Sequence, residues 1–287
     1  LEPFTFRSAL KQMAIPPAYE DVWMSPLVNG HLLATGRDTK ARKQYRYHDK
    51  WAQAQSETKF NRLIDFGHAL PKLRRTVLRD LEAEAGERLF ALASAVTLID
   101  RAALRVGNSE YTRENGSYGA VTLQNKHVNL SGNMIRLRYT AKGGKKVRRQ
   151  INDRTLAKTL GKINDLPGAE LFSWVDEGGE AQVLNSTALN KYIADAAGSD
   201  EITAKTFRTW AGTVAAFEIA EKGHASIKAM AEAASEQLSN TPTVARNSHI
   251  HPSVIDLAGA EPLTIKKVRK SGLFAAEARL LSFLETV

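Results

Sequence analysis

Two histidines, His249 and His251, stand on either side of one isoleucine in the segment SNTPTVARNSHIHP, residues 239–252. Histidine can bind a metal ion or transfer a proton near neutral pH. Side chains two positions apart diverge on a helix and share a face on a strand. A metal site would need further ligands, and the segment has no zinc-type spacing of ligands. The pattern therefore predicts no metal site.

Three cationic side chains occupy contexts that differ from an ordinary solvated surface. Arg105 stands at the end of a helical pattern, before a glycine, and Arg208 lies within a helical pattern between Phe207 and Trp210. Lys142 stands at the tip of a predicted basic hairpin, from which a long side chain can reach into a groove. Each cation, taken alone, is explained as well by a structural role, such as an arginine stem packed on tryptophan or a solvated turn lysine.

The chain carries a formal charge of +9 over 287 residues, and its positive side chains are clustered. Residues 37–50 hold six Lys or Arg against two Asp, whereas residues 136–149 hold seven Lys or Arg and no acidic residue. Tyrosines lie among the basic residues of both blocks. This clustering indicates a nucleic-acid-binding surface, and two solvated charged hairpins are the alternative.

The composition excludes several other classes of protein. There is no cysteine, which excludes disulfides, zinc–cysteine sites and thiol nucleophiles. No apolar run approaches the roughly 20 residues needed to span a bilayer, and no basic-then-apolar leader opens the sequence. We therefore expect a cytoplasmic protein with no membrane partner.

Hydrophobic periodicity predicts the elements that must position these cations. The turn Asn29–Gly30 between strand-like segments predicts a hairpin in a small β-rich unit over residues 1–67. The segment FGHALPK, residues 66–72, is predicted to be a linker because Gly and Pro interrupt two helical patterns. Residues 68–287 are predicted to be mainly helical, with strands within 118–151. Further helices are predicted over residues 153–163, 185–197, 205–222, 224–237 and 273–286.

Six segments in one order resemble the type IB DNA topoisomerases, specifically the small poxvirus-like form found in bacteria. The resemblance runs from about residue 20 to residue 255. The segments are ATGRDTKARKQYRYH (34–48), LRVGNSEY (104–111), TLQNKHV (122–128), AKGGKK (141–146), KTFRTWAGT (205–213) and NTPTVARNSHIHP (240–252). The resemblance implies an α+β fold with two domains. Residues 1–67 would form a β-rich DNA-clamp domain, and residues 68–287 a mainly helical catalytic domain with a three-stranded sheet.

The resemblance also implies a role for each matching residue. Arg105 and Arg208 match two arginines that bind the scissile phosphate, where guanidinium groups suit the charge of a pentacoordinate phosphorane. Lys142 matches a hairpin lysine that donates a proton to the departing 5′ oxygen. Asn240 stands where the family has a His or Asn that hydrogen-bonds a non-bridging oxygen. Further DNA contacts are implied at Lys43, Gln44, Tyr45, Tyr47, Asn108 and Tyr111.

The implied activity is relaxation of supercoiled duplex DNA. A tyrosine attacks one strand, forms a 3′-phosphotyrosyl ester and releases a 5′-hydroxyl, which later re-attacks. The ester conserves the bond energy, so no ATP, metal or other cofactor is expected. The implied protein is a monomeric clamp that binds duplex DNA in the nucleoid.

The chain departs from the family at the nucleophile. The family's tyrosine lies nine residues after the position of Asn240, in a segment that typically reads RKSYIHP, but here the segment is RNSHIHP and the residue is His249. No tyrosine follows Tyr192. Three explanations remain open: an engineered or selected Tyr-to-His change, a naturally inactive relative, or a histidine nucleophile that forms a phosphoramidate. Unprotonated imidazole makes the third chemically possible, but its ring is about two ångströms shorter than a phenol.

Two other classes of function also remain. Tyrosine recombinases share the catalytic core, but they usually have His-x-x-Arg where this chain has Lys205 and Arg208, and their N-terminal domain is helical. A non-enzymatic clamp that binds duplex DNA without cleavage is the second alternative, and His249 is compatible with it.

Overall fold

The structure is a computed structural model that describes residues 13–27, 29–164, 170–264 and 268–287. The chain forms two compact units, Leu1–Asn61 and Arg62–Val287. The predicted domain boundary lies between residues 67 and 68. Both positions fall within a single long helix, α1 (Asp49–Asp80).

The first unit contains a three-stranded antiparallel sheet in the order β1 (Glu20–Met24), β2 (Leu32–Arg37), β3 (Lys43–Tyr47). Strands β1 and β2 pair on either side of the Asn29–Gly30 turn, so the predicted hairpin is confirmed. The turn between β2 and β3 is organised by Asp38, which accepts hydrogen bonds from the backbone and the guanidinium of Arg42. These bonds, the side-chain one foremost, lower the pKa of Asp38 to about 2. The turn therefore holds its negative charge at neutral pH.

The linker predicted at residues 66–72 is wrong, because α1 continues through both Gly67 and Pro71. The helix buries Leu63, Phe66 and Leu70 on one face, and this burial outweighs the loss of a single backbone hydrogen bond at proline. A Cβ on Gly67 would lie 2.8 Å from Leu281 and 2.9 Å from Trp210. The glycine therefore marks a close helix contact and not a break.

The second unit is mainly helical. It contains α2 (Arg88–Ala102), α3 (Ser109–Asn115), α4 (Arg154–Asn164), α5 (Ser186–Ala197), α6 (Ala204–Ala220), α7 (Ile227–Leu238), α8 (Pro242–His249), α9 (Pro252–Ile255) and α10 (Ala275–Leu284). Helix α2 is buried on nearly every side, as expected for a helix that is apolar all round. Each of the five helices predicted beyond residue 152 is present, whereas α8 and α9 were not predicted.

The predicted three-stranded sheet is also confirmed. Strands β4 (Val128–Ser131), β5 (Met134–Ala141) and β6 (Lys145–Asn152) pair antiparallel in that order. Residues 120–122 and 125–127, predicted within the strand region, instead form short 3-10 turns. A two-stranded hairpin, β7 (Ser173–Val175) and β8 (Ala181–Val183), completes the strands of the described residues. The predicted α+β class is therefore confirmed.

A buried ionic network joins three helices of the second unit. Arg74 on α1 donates to Asp100 on α2 at 2.8 Å and to Glu277 on α10 at 2.7 Å. Glu277 also accepts a hydrogen bond from the indole of Trp210 on α6 at 3.2 Å. Since removing one charged member would leave a buried charge unpaired, the network holds α1, α2 and α10 together, and the indole bond attaches α6 to it as a fourth helix.

Within the described part of the chain, no helix combines the length and the apolar character that a membrane span requires.

Candidate active site

One cleft of about 620 Å³ in the second unit collects side chains from distant parts of the sequence. Its lining includes four predicted catalytic residues, Arg105, Lys142, Arg208 and His249. Asn108, Tyr111 and Lys205 also line it. The end of α2, the β5–β6 hairpin, α6 and α8 therefore meet at one place.

Arg208 is the most enclosed cation of this cleft, with 4% of its surface exposed. Its guanidinium donates to the carbonyl of Ala103, which ends α2 in a left-handed conformation, and to the carbonyl of Leu238 at 3.0 Å. Burial, and next the charge of Arg105, lowers the pKa of Arg208 to about 9. The side chain thus remains a cation at neutral pH, in an orientation fixed by two carbonyl groups.

Arg105 lies just beyond α2 in a segment that is pinned by backbone pairing. Its carbonyl accepts from the amide of Ala120 at 2.7 Å, and the next carbonyl, of Val106, accepts from Val121 at 2.8 Å. The Arg105 side chain is half-buried, and burial lowers its pKa below the ordinary arginine value. Two arginines with partly removed hydration therefore face the same cleft.

Lys142 and Tyr111 approach each other across the mouth of the cleft. Lys142 follows β5 at the hairpin tip, where Gly143 and Gly144 adopt positive φ angles of 80° and 75°. Its Nζ lies 5.7 Å from the centre of the Tyr111 ring, within the range of a cation–π contact. Tyr111 lies on α3, whose first turn is capped because the side-chain oxygen of Asn108 accepts from the Tyr111 amide at 2.8 Å. The Asn108 side chain thus has a structural role beside its predicted DNA contact.

His249 is the last residue of α8, and 7% of its surface is exposed. Its Nδ1 lies 3.3 Å from the hydroxyl of Thr209, and its carbonyl accepts from the hydroxyl of Thr213 at 3.2 Å. Both threonines belong to α6, the helix that carries Arg208. A Cβ on Gly212 would lie 2.7 Å from the His249 carbonyl oxygen, so α6 and α8 are in close backbone contact here.

His251 has a structural role that His249 does not share. Its Nδ1 accepts a hydrogen bond from the Ser253 amide at 3.2 Å and thereby caps the short helix α9. Burial lowers the pKa of His251 below the ordinary histidine value. Among the described residues, no group of three or more His, Cys, Asp or Glu side chains is placed to hold a metal ion.

Asn240 has a buried side chain and 5% of its surface exposed, and it does not contribute to the lining of the cleft. Its backbone amide donates to Ser235 at 3.2 Å, and its carbonyl accepts from Lys145. Neither side-chain polar atom of Asn240 has a hydrogen-bond partner among the described residues. An unpaired buried amide costs roughly 1–3 kcal/mol, so the side chain of Asn240 has a hydrogen-bonding capacity that its surroundings do not meet.

The predicted DNA contacts of the first unit fall on two faces of β3. Lys43, Tyr45 and Tyr47 alternate onto one face, where the two tyrosine rings stack with centres 6.2 Å apart and Lys43 Nζ lies 5.8 Å from the Tyr45 ring. Both tyrosines are exposed. Gln44 points to the opposite face and donates to Asp38 at 3.0 Å. Gln44 therefore lies on the other face of β3 from the two stacked rings.

The sequence analysis did not predict the hydrogen-bond acceptors of two basic residues on β6, Lys145 and Arg149. Arg149 donates to the carbonyl of Glu236 at 3.1 Å and to the side chain of Gln237 at 3.3 Å, and Lys145 donates to Asn240. The alternation around buried Val147 was the available signal, since it puts all three β6 residues on the inward face.

Two arginines, a hairpin lysine and a helix-end histidine around one cleft define a site for an anionic group in an α+β core. Residues 48–253 match the family described as eukaryotic DNA topoisomerase I, catalytic core, and residues 7–38 match the bacterial DNA topoisomerase IB N-terminal domain. The chain belongs to the type IB DNA topoisomerase family, as its motifs predicted.

The chain is also similar in sequence to curated viral DNA topoisomerases. DNA topoisomerase 1B of Acanthamoeba polyphaga mimivirus is 34% identical over 205 residues, which cover 70% of this chain and 61% of the viral protein. DNA topoisomerase 1B of vaccinia virus (strain Copenhagen) is 24% identical over 157 residues, which cover 54% of this chain and 49% of the viral protein. DNA topoisomerase I of monkeypox virus matches to the same extent. The chain thus covers less than two thirds of the length of these relatives.

Proposed function

We propose that this chain binds duplex DNA in the manner of a type IB topoisomerase. With a tyrosine in place of His249, the same site would relax supercoils through a 3′-phosphotyrosyl intermediate and religation, without ATP or another cofactor. The observation that carries the proposal is the convergence of Arg105, Lys142, Arg208 and His249 on one cleft. We propose a monomeric clamp that acts in the nucleoid, and a recombinase-like strand transfer is the alternative reaction.

The proposed chemistry follows from the surroundings of each cation. A phosphodiester under attack gains negative charge on its non-bridging oxygens, and Arg208 and Arg105 would receive that charge. Arg208 is already oriented by the carbonyls of Ala103 and Leu238, so it needs little reorganisation in the transition state. The unpaired amide of Asn240 lies outside the lining of the cleft, so it would have to turn toward the cleft to donate to a non-bridging oxygen. Lys142, at the hairpin tip, would protonate the leaving 5′ oxygen.

His249 supports a second proposal, that the chain in its present form is a clamp with little or no cleavage activity. The imidazole Nδ1 lies beside Thr209, and the ring ends short of the place that a phenol oxygen would reach. A positioning error of about 1 Å already costs on the order of 10²-fold in rate. DNA binding does not depend on the attacking atom, so it would be retained.

Binding of duplex DNA is expected to weaken steeply as salt rises. With about six phosphate contacts, affinity should fall roughly 10³-fold between about 50 and about 200 mM salt, because the bound cations release counterions from the DNA. Fluorescence anisotropy of a labelled duplex at several salt concentrations measures this slope. Lys43→Ala should reduce the slope by about one unit, whereas Tyr45→Ala should weaken binding with the slope unchanged. An affinity that does not vary with salt would contradict the proposal.

A leaving group that needs no protonation is expected to rescue loss of Lys142. In the His249→Tyr background, Lys142→Ala should slow single-turnover cleavage of ordinary DNA by roughly 10²- to 10⁴-fold, the usual contribution of a general acid. A 5′-bridging phosphorothiolate substrate should restore most of that rate, because a thiolate leaves without a proton.

Arg105→Ala provides the matched control for this experiment. Arg105 is proposed to act on the non-bridging oxygens, so the sulfur substitution should not rescue its loss. Equal slowing of Lys142→Ala on both substrates would rule out the general-acid role.

A further inference from the structure

The inward face of β6 binds the end of helix α7. Lys145, Val147 and Arg149 alternate onto this face, and Val147 is buried. Arg149 donates to the Glu236 carbonyl at 3.1 Å, and Lys145 donates to the Asn240 carbonyl. The two donors are four residues apart on the strand, and so are their two acceptors.

The acceptors lie at and just beyond the carboxyl end of α7. The Glu236 carbonyl belongs to the last turn of α7, where the negative end of the helix dipole favours nearby cations, and it also accepts from the Ser239 amide at 3.3 Å. The Asn240 carbonyl lies two residues beyond the helix. Helix α7 ends at Leu238, whose carbonyl accepts from Arg208 at 3.0 Å, and Ser239 follows with a positive φ of 48°. Three cations from β6 and α6 thus hold the carbonyls of the segment 236–240.

We propose that Lys145 and Arg149 are positioning residues that latch the β5–β6 hairpin onto the segment 236–240. The latch sets the distance between two residues of the proposed reaction, Lys142 at the hairpin tip and Asn240 in the latched segment. The inference rests on the proposed function for the roles of Lys142 and Asn240. The bonds that form the latch do not depend on that function.

The hairpin needs this restraint because of its turn. Gly143 and Gly144 separate Lys142 from Lys145, and glycine restricts the backbone least of all residues. The Lys142 ammonium must come within hydrogen-bond reach of the leaving 5′ oxygen when the P–O5′ bond breaks and the bond to the nucleophile forms. The bond from Lys145 to Asn240 anchors the chain directly after the two glycines.

The latch can be tested without DNA by amide hydrogen exchange on the chain with His249 in place. Two amides report on it: Gly144, which donates to Ala141 at 3.1 Å, and Asn240, which donates to Ser235 at 3.2 Å. Lys145→Ala should speed exchange at both by about tenfold, the effect of losing one hydrogen bond from a charged group. Lys146→Ala is the matched control, because Lys146 Nζ donates to Thr140 within the hairpin. Unchanged exchange in Lys145→Ala would overturn the latch.

The positioning role is tested by single-turnover cleavage in the His249→Tyr background at saturating protein. Lys145→Ala should slow cleavage of ordinary DNA by roughly 10²-fold, the cost of about 1 Å of misplacement. It should slow a 5′-bridging phosphorothiolate substrate far less, because that substrate no longer depends on the placement of Lys142 and loses only what a looser Asn240 contributes. Equal slowing on both substrates, or none, would overturn the positioning role. Failure of the His249→Tyr parent to cleave would instead overturn the proposed function, and the exchange experiment would still decide the latch.

Discussion

Replacing His249 with tyrosine is expected to raise the rate of plasmid relaxation by this chain by at least about 10²-fold, without ATP or magnesium. The phenol oxygen extends beyond the imidazole into a cleft that already holds Arg105, Lys142 and Arg208. A tyrosyl phosphodiester conserves the energy of the DNA bond, so relaxation needs no other energy source. Relaxation of supercoiled plasmid measures the rate, and a denaturing gel with end-labelled DNA detects the covalent adduct.

His249→Phe is the matched control for this gain, because it has the ring of tyrosine without the hydroxyl. It should bind duplex DNA with the affinity of the unaltered chain and show neither relaxation nor adduct. Equal relaxation by the unaltered chain and by the His249→Tyr variant would refute the assignment of this position to the nucleophile. A stable histidine adduct in the unaltered chain would support the phosphoramidate explanation.

Removing the Arg208 side chain is expected to reduce both cleavage and stability. In the His249→Tyr background, Arg208→Ala should slow cleavage by about 10²- to 10³-fold, the usual cost of losing one preorganised donor to an oxyanion. It also leaves the carbonyls of Ala103 and Leu238 unpaired in the interior, so the free energy of unfolding should fall by about 2–4 kcal/mol. Single-turnover cleavage and denaturant unfolding measure the two effects.

Two further variants serve as controls for Arg208→Ala. One keeps the positive charge but changes the donor geometry, and the other removes an arginine from the exposed surface. Arg208→Lys keeps the positive charge but has a single donor group, so it should recover part of the stability and little of the cleavage rate. Arg75→Ala removes an exposed arginine on α1 and should change stability by less than about 0.5 kcal/mol. Full cleavage activity in Arg208→Ala would refute the phosphate-binding role of Arg208.

The sequence predicts the main members of the cleft because each stands in a distinctive local context. Arg105, Lys142, Arg208 and His249 are each identified by a motif, and the structure brings all four together. The roles of these residues remain predictions. The α+β class and the three-stranded sheet also follow from local periodicity.

The errors arise where tertiary packing determines the outcome. In the sequence, Gly67 and Pro71 indicate a break between two helices. Packing of α1 against Trp210 and Leu281 keeps the helix continuous through both residues. Gln44 lies on the opposite face of β3 from its tyrosine neighbours and donates to Asp38, and its DNA contact stays a prediction. The alternation of β6 predicts that Lys145 and Arg149 share the face of Val147, but no local pattern predicts which helix end packs against that face.

The close contact of Gly212 with His249 leaves no room for α6 and α8 to approach further at this point. Arg208, which would hold the phosphate, lies one turn before that glycine on α6, and the attacking position ends α8. Under the proposed mechanism, cleavage and resealing pass through the same transition state in opposite directions. A change in the spacing of the two helices that raises only this transition state would therefore slow both steps by the same factor. The fraction of broken strands at equilibrium would stay constant, and only the lifetime of each break would lengthen.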